Sequence, residues 1–377
     1  MKSRAVKNAG YLLALAPQII LVLGVYTGFA WLSVLFFFVF LPVVRKFVGN
    51  DLSVPNTAPS AFLAGYLRAV PRLYFVTWAI VLPWSIWILS VKPMTVAEYI
   101  GFALGLWIVN SLNTAIGHEL IHSRSRFDRA LGGILNASAG YFHFPEEHLS
   151  HHERTGHYHG GDAAVPGTSI YAYAAGRYFR YLRVAWEFET ARLKRNKSIW
   201  LANRLLRRAL VPILIGAAYC YFAGVTGLVI YLFQVVGASF SVQAITYLQH
   251  WGLSEKETPE LRDFGFSWED GCWMQACVTL NHAFHGQHHL TLARPYYELG
   301  TAKGGLLLPA SYPVMFVLAL FPQFFSGIMQ ARLEAWLKDF EDREMQEHSS
   351  DCIGTTMIAQ ALSRGQASLS AVVENSH

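Results

Sequence analysis

Charged residues and paired cysteines are both scarce in this chain of 377 residues. Only 15% of the residues are Asp, Glu, Lys or Arg, whereas about a quarter are charged in an ordinary soluble domain. The four cysteines form no CxxC pair, which argues against a disulfide framework and against an iron–sulfur or zinc–cysteine site. Such sparse cysteines are typical of a reducing, cytoplasmic environment.

Nucleotide-binding motifs are missing as well. The sequence contains neither a GxGxxG fingerprint nor a P-loop, so no recognised motif would hold a flavin or a nicotinamide in this chain. The net charge of +5 is spread over 42.2 kDa, and such a thin basic excess argues against nucleic-acid binding. Redox chemistry in this chain would need electrons from another protein.

Apolar residues are in excess instead. They make up 53% of the chain and give a mean hydropathy of +0.29, which predicts an integral membrane protein. Six apolar stretches form three hairpins, and each is long enough to span a bilayer: approximately residues 10–26, 28–44, 73–91, 96–117, 209–224 and 227–247. We therefore predict an all-α integral membrane protein with six transmembrane helices, in one domain over residues 1–345, with a mobile tail over residues 346–377.

Lysine and arginine set the predicted orientation. They collect on one side of this map, at residues 45–46, 68–72, 124–129 and 177–208. The positive-inside rule makes that side cytoplasmic, so the polar segments 118–208 and 248–345 would form a cytoplasmic catalytic region. Prolines interrupt the apolar residues 306–329, which are expected to form an interfacial cap and not a seventh span. The expected location is a membrane that borders the cytoplasm.

Histidine is concentrated in one part of the chain. Thirteen of the fifteen histidines lie between His118 and His289, and each lies at or beyond the cytoplasmic end of a predicted span. The first group is HExxH, in which His118 and His122 share one helical face because their spacing is i, i+4. HExxH alone is a weak motif, since zinc proteases also contain it.

Two further groups have the pattern HxxHH: His148, His151 and His152 in the first, and His285, His288 and His289 in the second. Positions i+3 and i+4 lie roughly 60° and 40° to either side of position i, so each group directs three imidazoles along one helical stripe. Such stacking near a membrane is costly unless a metal or an ionic partner relieves it. A single imidazole, that of His250, ends the sixth predicted span.

Together these groups predict a site for two metal ions. Nine imidazoles exceed the four positions of a structural zinc, so each of two ions would keep an open position for chemistry. The predicted ligands are His118, His122, His148, His151, His152, His250, His285, His288 and His289. Imidazole suits iron, zinc and copper, so the residues alone do not choose the metal.

The histidine groups and their flanks resemble a known family. Residues 117–122, 140–148, 247–253 and 285–299 are similar, in order, to the first histidine box, the approach to the second box, the singleton-histidine motif and the last box of one class of membrane enzymes. These enzymes are the membrane-bound non-haem di-iron hydroxylases, which include alkane hydroxylases and xylene and cymene methyl monooxygenases and are related to membrane fatty acid desaturases. The resemblance covers nearly the whole chain.

The resemblance implies two iron ions, dioxygen as co-substrate, and hydroxylation of a methyl C–H bond in a hydrophobic substrate. That substrate would be an alkyl-aromatic such as xylene or cymene, or an n-alkane. Gln249 and residues 297–299 look closer to the xylene-type branch.

Electrons would come from NAD(P)H through a separate reductase with a ferredoxin or rubredoxin. Ten Lys or Arg between residues 177 and 208 are a predicted dock for an acidic carrier. An equally good explanation of this positive charge is that the segment lies on the cytoplasmic side of the membrane and contacts anionic lipid.

Several alternatives stay open at the boxes. Only two residues separate the single and paired histidines of the second box, where the hydroxylases usually have three, so a fatty acyl desaturase is the rival function. His143, His157 or His159 could replace a ligand of the second box, and His282 could replace His285. An intramembrane zinc protease would leave the two HxxHH groups unexplained. A metal transporter would not explain why the histidines lie at one membrane face.

Carboxylates and aromatics near the boxes complete the predicted site. Glu119, next to a ligand at a helix end, is expected to orient a metal-bound imidazole through its free N–H, and Glu147 could do the same. Asp162 could also orient such an imidazole, but a solvated loop carboxylate is the favoured expectation for it. The aromatic candidates for lining a substrate pocket are Trp84, Trp87, Phe102 and Trp107.

Overall fold

The structure, a computed structural model, describes residues 4–50, 59–159, 161–292, 294–301, 304–343 and 345. The predicted mobile tail, residues 346–377, lies outside the described residues. Contacts divide the chain into two units, Met1–Gly327 and Ile328–His377. Residues 328–343 of the second unit are helical, and the fold described below is that of the first unit.

Helices dominate the described residues, and the only β-structure among them consists of isolated bridges. The helices are α1 (Val6–Tyr26), α2 (32–48), α3 (Ala61–Val91), α4 (Val96–Ile121), α5 (Arg126–Ser138), α6 (Phe144–Glu153), α7 (Ile170–Arg195), α8 (Arg204–His250), α9 (Trp273–Val278), α10 (His285–Leu290) and α11 (Tyr312–Ala319). The predicted all-α class is therefore confirmed.

Four of these helices are long and apolar enough to cross a membrane, namely α1, α3, α4 and α8. The predicted span 28–44 falls mainly on α2, which contains a π-helical turn at Phe36–Phe40. Helix α3 begins at Ala61, well before residue 73, because Ser60 caps its amino end. Helix α4 begins where predicted, since Thr95 and Glu98 form a capping box.

Helix α8 has 47 residues and is interrupted at Gly224, whose φ of 64° and ψ of −160° are not helical. Only glycine adopts this conformation without strain. The predicted segments 209–224 and 227–247 lie on either side of this break. In the proline-rich region 306–329, residues 304–311 are irregular before α11 begins.

Helix α4 lies at the centre of the bundle and packs against α5 and α8. Gly117 on α4 and Gly132 on α5 permit a close approach, because a Cβ on Gly132 would lie 2.7 Å from the Gly117 carbonyl oxygen. Asn136 fills the remaining space beside Gly117 and donates a 2.8 Å hydrogen bond to the Gly132 carbonyl. This contact fixes the last turn of α4, which carries His118.

Candidate metal centre

The predicted ligands lie at one end of the bundle. The HExxH pair is at the end of α4, the two HxxHH groups are on α6 and α10, and His250 is the last residue of α8. Helices as short as α6 and α10 are not stable alone, so contacts with the rest of the chain must hold them. Glu146 on α6 accepts a 2.9 Å hydrogen bond from Arg208, and Glu269 accepts one of 3.1 Å from the Gly286 amide of α10.

The first group of nitrogens is the five-histidine cluster, formed by His118, His122, His148, His152 and His288. One ring nitrogen from each lies within 4.8 Å of the others. The Nε2 atom of His148 is 3.0 Å from that of His118, 2.7 Å from that of His122 and 2.8 Å from that of His152. Nitrogens that bind one metal ion at about 2.1 Å are separated by about 3 Å, so this spacing fits a shared ion.

The second group is the four-histidine cluster, formed by His151, His250, His285 and His289. The Nε2 atom of His285 is 3.3 Å from that of His151 and 2.9 Å from that of His289. The two clusters are adjacent, since the ring centroids of His151 and His152 are 5.3 Å apart. The structure thus brings all nine predicted residues together, in groups of five and four.

Each HxxHH group contributes to both clusters. On α6, His148 and His152 belong to the five-histidine cluster, whereas His151 belongs to the four-histidine cluster. On α10, His285 and His289 belong to the four-histidine cluster, whereas His288 belongs to the other. In both helices the i and i+4 imidazoles therefore face one cluster while the i+3 imidazole faces the other, because positions i+3 and i+4 diverge by 100° around a helix.

A buried ionic network orients His151. Its Nδ1 atom is in hydrogen-bond contact with Asp162, whose carboxylate also accepts hydrogen bonds of 2.7 and 2.9 Å from Arg177. Burial alone would raise the pKa of Asp162, but Arg177 and His151 outweigh burial and hold that pKa well below its usual range. The expectation of a solvated loop carboxylate at Asp162 is wrong, because the side chain is fully buried.

Two more imidazoles of the four-histidine cluster have fixed orientations. The Nδ1 atom of His250 donates to the Phe266 carbonyl at 2.8 Å, and that of His289 is 2.9 Å from the Thr155 hydroxyl, which itself donates to the His151 carbonyl. A partner on Nδ1 leaves the Nε2 lone pair free for a metal. The buried Nε2 of His250 has no hydrogen-bond partner among the described residues, as an imidazole poised for a metal would.

Glu119 has a different contact from the expected one. Its Oε1 atom accepts a 3.4 Å hydrogen bond from the Tyr296 amide, and no imidazole partner is found for it within the described part of the chain. That Glu119 orients a metal-bound imidazole stays a prediction, and the hydrogen bond found for it does not support that role. Glu147 accepts a 2.6 Å hydrogen bond from Arg177, which in turn binds Asp162, so Glu147 is linked to the clusters only through Arg177.

The alternative histidines occupy other places. His157 and His159 are exposed, and His143 is buried 3.5 Å from Glu147, away from both clusters. Burial is the main cause that lowers the pKa of His143 to about 3, so its imidazole is neutral. His282 lies closer, with its ring centroid 4.7 Å from that of His118, but its nitrogens belong to neither cluster.

The donor set fits the iron ions that the resemblance implies. Burial lowers the pKa of His122 to about 4 and that of His152 to about 2, so both imidazoles are neutral at pH 7. Neutral imidazole is the form that binds metal ions, and it suits iron. The structure arranges the nine imidazoles in two compact groups.

A cavity of about 130 Å³ leads from the clusters into the apolar part of the bundle. Four cluster histidines contribute to its wall, namely His118, His148, His151 and His285. Aromatic side chains form another part of the wall, namely Phe37, Phe38, Trp107, Phe144, Tyr312 and Phe316.

Of the four aromatics predicted to line a pocket, only Trp107 does so among the described residues. Phe102 is fully buried in the core, Trp87 is 53% exposed on the outside of α3, and Trp84 contacts Tyr26. Their sequence context is equally apolar, so it does not distinguish a cavity wall from the lipid-facing surface.

Sequence reasoning missed the groups that hold the imidazoles in place. Arg177 is only 2% exposed and links Asp162, Glu147 and Gln243, yet in the sequence it is one of ten basic residues in a segment interpreted as a dock. Thr155 and the Phe266 carbonyl give no sequence signal. For Arg177 and Asp162, the available hint was a pairing of opposite charges between two segments that both follow the second box.

Comparisons with known proteins identify relatives of the family that the histidine boxes resemble. The sequence model of the fatty acid desaturase family matches residues 93–319. The chain is 30% identical over 312 residues to alkane 1-monooxygenase 1 of Alcanivorax borkumensis, with 78% of this chain and 76% of that protein covered. It is 29% identical over 333 residues to the alkane 1-monooxygenase of Ectopseudomonas oleovorans, with 83% and 80% covered.

A third relative, the alkane 1-monooxygenase of Pseudomonas putida, is 28% identical over 312 residues, with 78% of this chain and 76% of that protein covered. Membership of such a family implies non-haem iron, a hydrophobic substrate, a redox partner and an integral membrane location. The predicted resemblance is confirmed. The chain belongs to the fatty acid desaturase family and, within it, to the membrane-bound hydroxylases related to the desaturases, and it is a monooxygenase.

Proposed function

We propose that this protein hydroxylates the terminal methyl group of a hydrocarbon, with dioxygen, at two non-haem iron ions. The observation that carries the proposal is the cavity that joins four cluster histidines to a wall of aromatic side chains inside the bundle. A hydrocarbon that lies along this cavity would present its end to the clusters. Aliphatic substrates partition into bilayers, so a cavity between membrane helices suits them.

The polar residues of the cavity wall support an apolar substrate. Thr114, Thr246 and Thr279 donate their hydroxyls to backbone carbonyls of their own helices, at distances of 2.6, 3.0 and 3.0 Å. Their hydrogen-bonding capacity is used within the protein, and a substrate meets mostly carbon. A polar substrate would find few free partners there.

The five-histidine cluster would hold one iron and the four-histidine cluster the other. When bound, the iron supplies the reduction of dioxygen, so that one oxygen atom enters the C–H bond and the other leaves as water with two electrons and two protons. The chain itself orients the imidazoles through Asp162, Thr155 and the Phe266 carbonyl, and it excludes bulk water by burying both clusters. The HExxH pair shares its cluster with three further histidines, which favours this arrangement over a zinc protease.

Linear alkanes are the favoured substrates, because the curated relatives named above are alkane 1-monooxygenases. An alkyl-aromatic with a benzylic methyl group is the second candidate. Gln249, which looks closer to the xylene-type branch, lines the cavity and donates a 3.1 Å hydrogen bond to Tyr312.

Six membrane spans in three hairpins are part of the proposal. A straight helix with the 47 residues of α8 would be about 70 Å long, more than twice the hydrocarbon core of a bilayer, so the break at Gly224 supports two spans there. Helix α2 would return from α1. The basic residues near the histidine end support a cytoplasmic active site in the inner membrane of a bacterium.

A separate electron carrier, a ferredoxin or rubredoxin supplied by an NAD(P)H-dependent reductase, would reduce the iron. Six of the ten basic residues in segment 177–208 are already paired with carboxylates of this chain, namely Arg177, Arg180, Arg183, Arg192, Arg204 and Arg208. The proposed dock is therefore the exposed subset Lys194, Arg195, Lys197 and Arg207. Charge reversal at Lys194 and Arg195 should slow reduction and flatten its salt dependence. An unchanged salt dependence would exclude this dock.

Product analysis tests the function. Cells that co-express this chain with a ferredoxin and its reductase are given n-octane, n-dodecane, p-xylene and p-cymene, and products are identified by gas chromatography beside a His288→Ala variant. We expect 1-alkanols that disappear in the variant. Benzylic alcohols alone would establish the second candidate, and new double bonds in lipid without any alcohol would replace the hydroxylase by a desaturase.

A further inference from the structure

One asparagine joins the two ends of the segment that contains the last histidine box. The residues between Asn281 and Tyr296 include three cluster histidines, namely His285, His288 and His289. The Nδ2 atom of Asn281, just before this segment, donates a 2.7 Å hydrogen bond to the carbonyl of Tyr296, just after it. A carbonyl oxygen only accepts, so the amide nitrogen of Asn281 and not its amide oxygen must face Tyr296. The bond therefore fixes both ends of the segment against each other.

The same amide group binds the amino-terminal helix. The second hydrogen of Nδ2 is donated to the Tyr11 hydroxyl of α1, at 2.8 Å. The ring of Tyr11 lies edge-on against that of Tyr296, with the centroids 4.8 Å apart. All three residues are no more than 1% exposed, so bulk water does not compete for these hydrogen bonds. The last box is thus attached to a helix about 270 residues earlier in the chain.

Helix α1 makes two further contacts just before the last box. A Cβ at Gly10 would lie 2.6 Å from Cζ2 of Trp273, so a glycine at this position permits the close approach of α1 to α9. The Nζ atom of Lys7 lies 6.0 Å from the ring centroid of Phe284, the residue that precedes His285. The first turns of α1 therefore contact both α9 and the connection from α9 to α10.

Tyr296 extends these contacts to two other helices. Its hydroxyl donates a 2.8 Å hydrogen bond to the Leu67 carbonyl of α3, and its amide donates one of 3.4 Å to Glu119 of α4. The two ends of the segment are thus attached to α1, α3 and α4. Helix α10, which has only six residues, receives its position from these longer helices.

The backbone at the start of the segment needs such an attachment. Leu280 and Asn281 have φ angles of 50° and 57°, which lie in the left-handed region. Asparagine adopts this conformation more readily than most residues, but a leucine does so rarely. A left-handed leucine persists only where its surroundings hold it. The side chain of Asn281 supplies this hold through Tyr11 and Tyr296.

We propose that Asn281 and Tyr11 are positioning residues of the metal centre, which hold the last-box segment so that its three ligands reach both clusters. The inference rests on the proposed function, since it concerns the iron ions of the same site. Without the two hydrogen bonds, fewer molecules would have the segment in the binding arrangement, and the apparent affinity for iron falls with that fraction. Both clusters should be weakened together, because His288 belongs to one and His285 to the other.

Iron retention tests this role without any turnover. The full-length enzyme in detergent is loaded with ferrous iron in the absence of oxygen and titrated with a chelator, and iron per chain is measured by mass spectrometry. Asn281→Gly removes both hydrogen bonds but accepts the positive φ without strain. We expect iron binding to weaken about 25-fold at both clusters, since each buried hydrogen bond contributes about 5-fold.

Tyr11→Phe removes a single oxygen atom and keeps the test decisive if Asn281→Gly does not fold. It should weaken iron binding about 5-fold, the effect of one hydrogen bond. The double variant should bind iron like Asn281→Gly alone, because the Tyr11 hydroxyl acts only through Asn281. Additive effects in the double variant would contradict this order of contacts.

Tyr74→Phe is the matched control. It also removes a buried tyrosine hydroxyl, which donates a 2.9 Å hydrogen bond to Asn113 and joins α3 to α4 away from the last box. It should lower the thermal unfolding midpoint about as much as Tyr11→Phe does and leave iron binding unchanged. An equal loss of iron in the two variants would overturn the proposal, since general stability would then explain the effect.

Two other results would also overturn the proposal. One is wild-type iron binding in both Asn281→Gly and Tyr11→Phe. The other is loss of iron from one cluster only, which would assign the effect to a single ligand and not to the segment. A wild-type enzyme that holds two iron ions but oxidises none of the hydrocarbons would defeat the proposed function alone, because the iron measurements do not depend on turnover.

Discussion

The two histidine clusters use the same side chain but are oriented in different ways. In the four-histidine cluster, His151, His250 and His289 each have a partner on Nδ1, provided by a carboxylate, a carbonyl and a hydroxyl. In the five-histidine cluster, the ring contacts found within the described residues are mainly with other imidazoles. The smaller site is thus positioned by the surrounding protein, whereas the larger one relies on its number of donors.

Asp162→Asn should produce the largest effect and should act on the four-histidine cluster. The change removes the negative charge that faces Arg177 and leaves one acceptor oxygen where the carboxylate offers two, so Arg177 and His151 compete for it. Loss of such an outer partner weakens metal binding by about 10- to 100-fold. Iron per chain, measured by mass spectrometry, should fall from about two to about one.

Glu147→Gln is the matched control for Asp162, because Glu147 also bonds to Arg177 but orients no cluster histidine. If both variants lost iron equally, the stability of the buried network and not the orientation of His151 would be responsible. Full iron content in Asp162→Asn would contradict the contrast between the clusters.

Glu189→Gln should come next and should affect both clusters equally. Burial raises the pKa of Glu189, but Arg192 and Arg204 outweigh burial and lower it to about 2, from 4.5. Arg204 also reaches Glu146 on α6, at 3.7 Å, and α6 carries ligands of both clusters. At pH 7 the free energy of unfolding should fall by roughly 2 kcal/mol, so the variant should unfold at a lower temperature.

The pH dependence of this effect follows from the lowered pKa. The ionised Glu189 stabilises the fold above pH 4.5, and its contribution is lost as the pH falls from 4.5 toward 2. Thermal unfolding midpoints of wild type and Glu189→Gln should therefore converge in that range. A constant difference from pH 7 down to pH 3 would exclude the ionic explanation.

Thr155→Val should have a smaller effect on the four-histidine cluster alone. The variant keeps the shape of the side chain but leaves the Nδ1 atom of His289 without its hydroxyl partner. We expect iron binding by this cluster to weaken by about 10-fold, the lower end of the effect of such partners, as measured by chelator competition. Thr155→Ser keeps the hydroxyl and should bind iron like the wild type.

His282→Gln should have the smallest effect. Burial is the main cause that lowers the pKa of His282 to about 4, and its neutral ring contacts that of His118 without joining either cluster. Iron content should stay at the wild-type value, whereas His288→Gln should reduce it. Equal losses in the two variants would make His282 a ligand.

Much of the fold was predictable from the sequence, because long apolar runs and a capping box at Thr95 determine where membrane helices begin. The helix that contains the predicted span 73–91 begins twelve residues earlier, at Ala61, because the cap at Ser60 starts it before the long apolar run. A solvated position was wrongly favoured for Asp162, because burial of that carboxylate depends on Arg177, fifteen residues away, and no local pattern reports the pairing.

The sequence by itself determined the chemistry of the site, because HxxHH and HExxH spacings gather several imidazoles toward one side of a helix. Only the tertiary structure decided how the nine histidines divide. His148 lies against His122 of α4, whereas His151 lies against His250 of α8. A spacing within one helix cannot specify which neighbour each side chain faces. The same holds for Trp107, which lines the cavity beside α8. A Cβ at Gly237 of α8 would lie 2.6 Å from its ring, and its Nε1 atom donates a 3.0 Å hydrogen bond to Ser241.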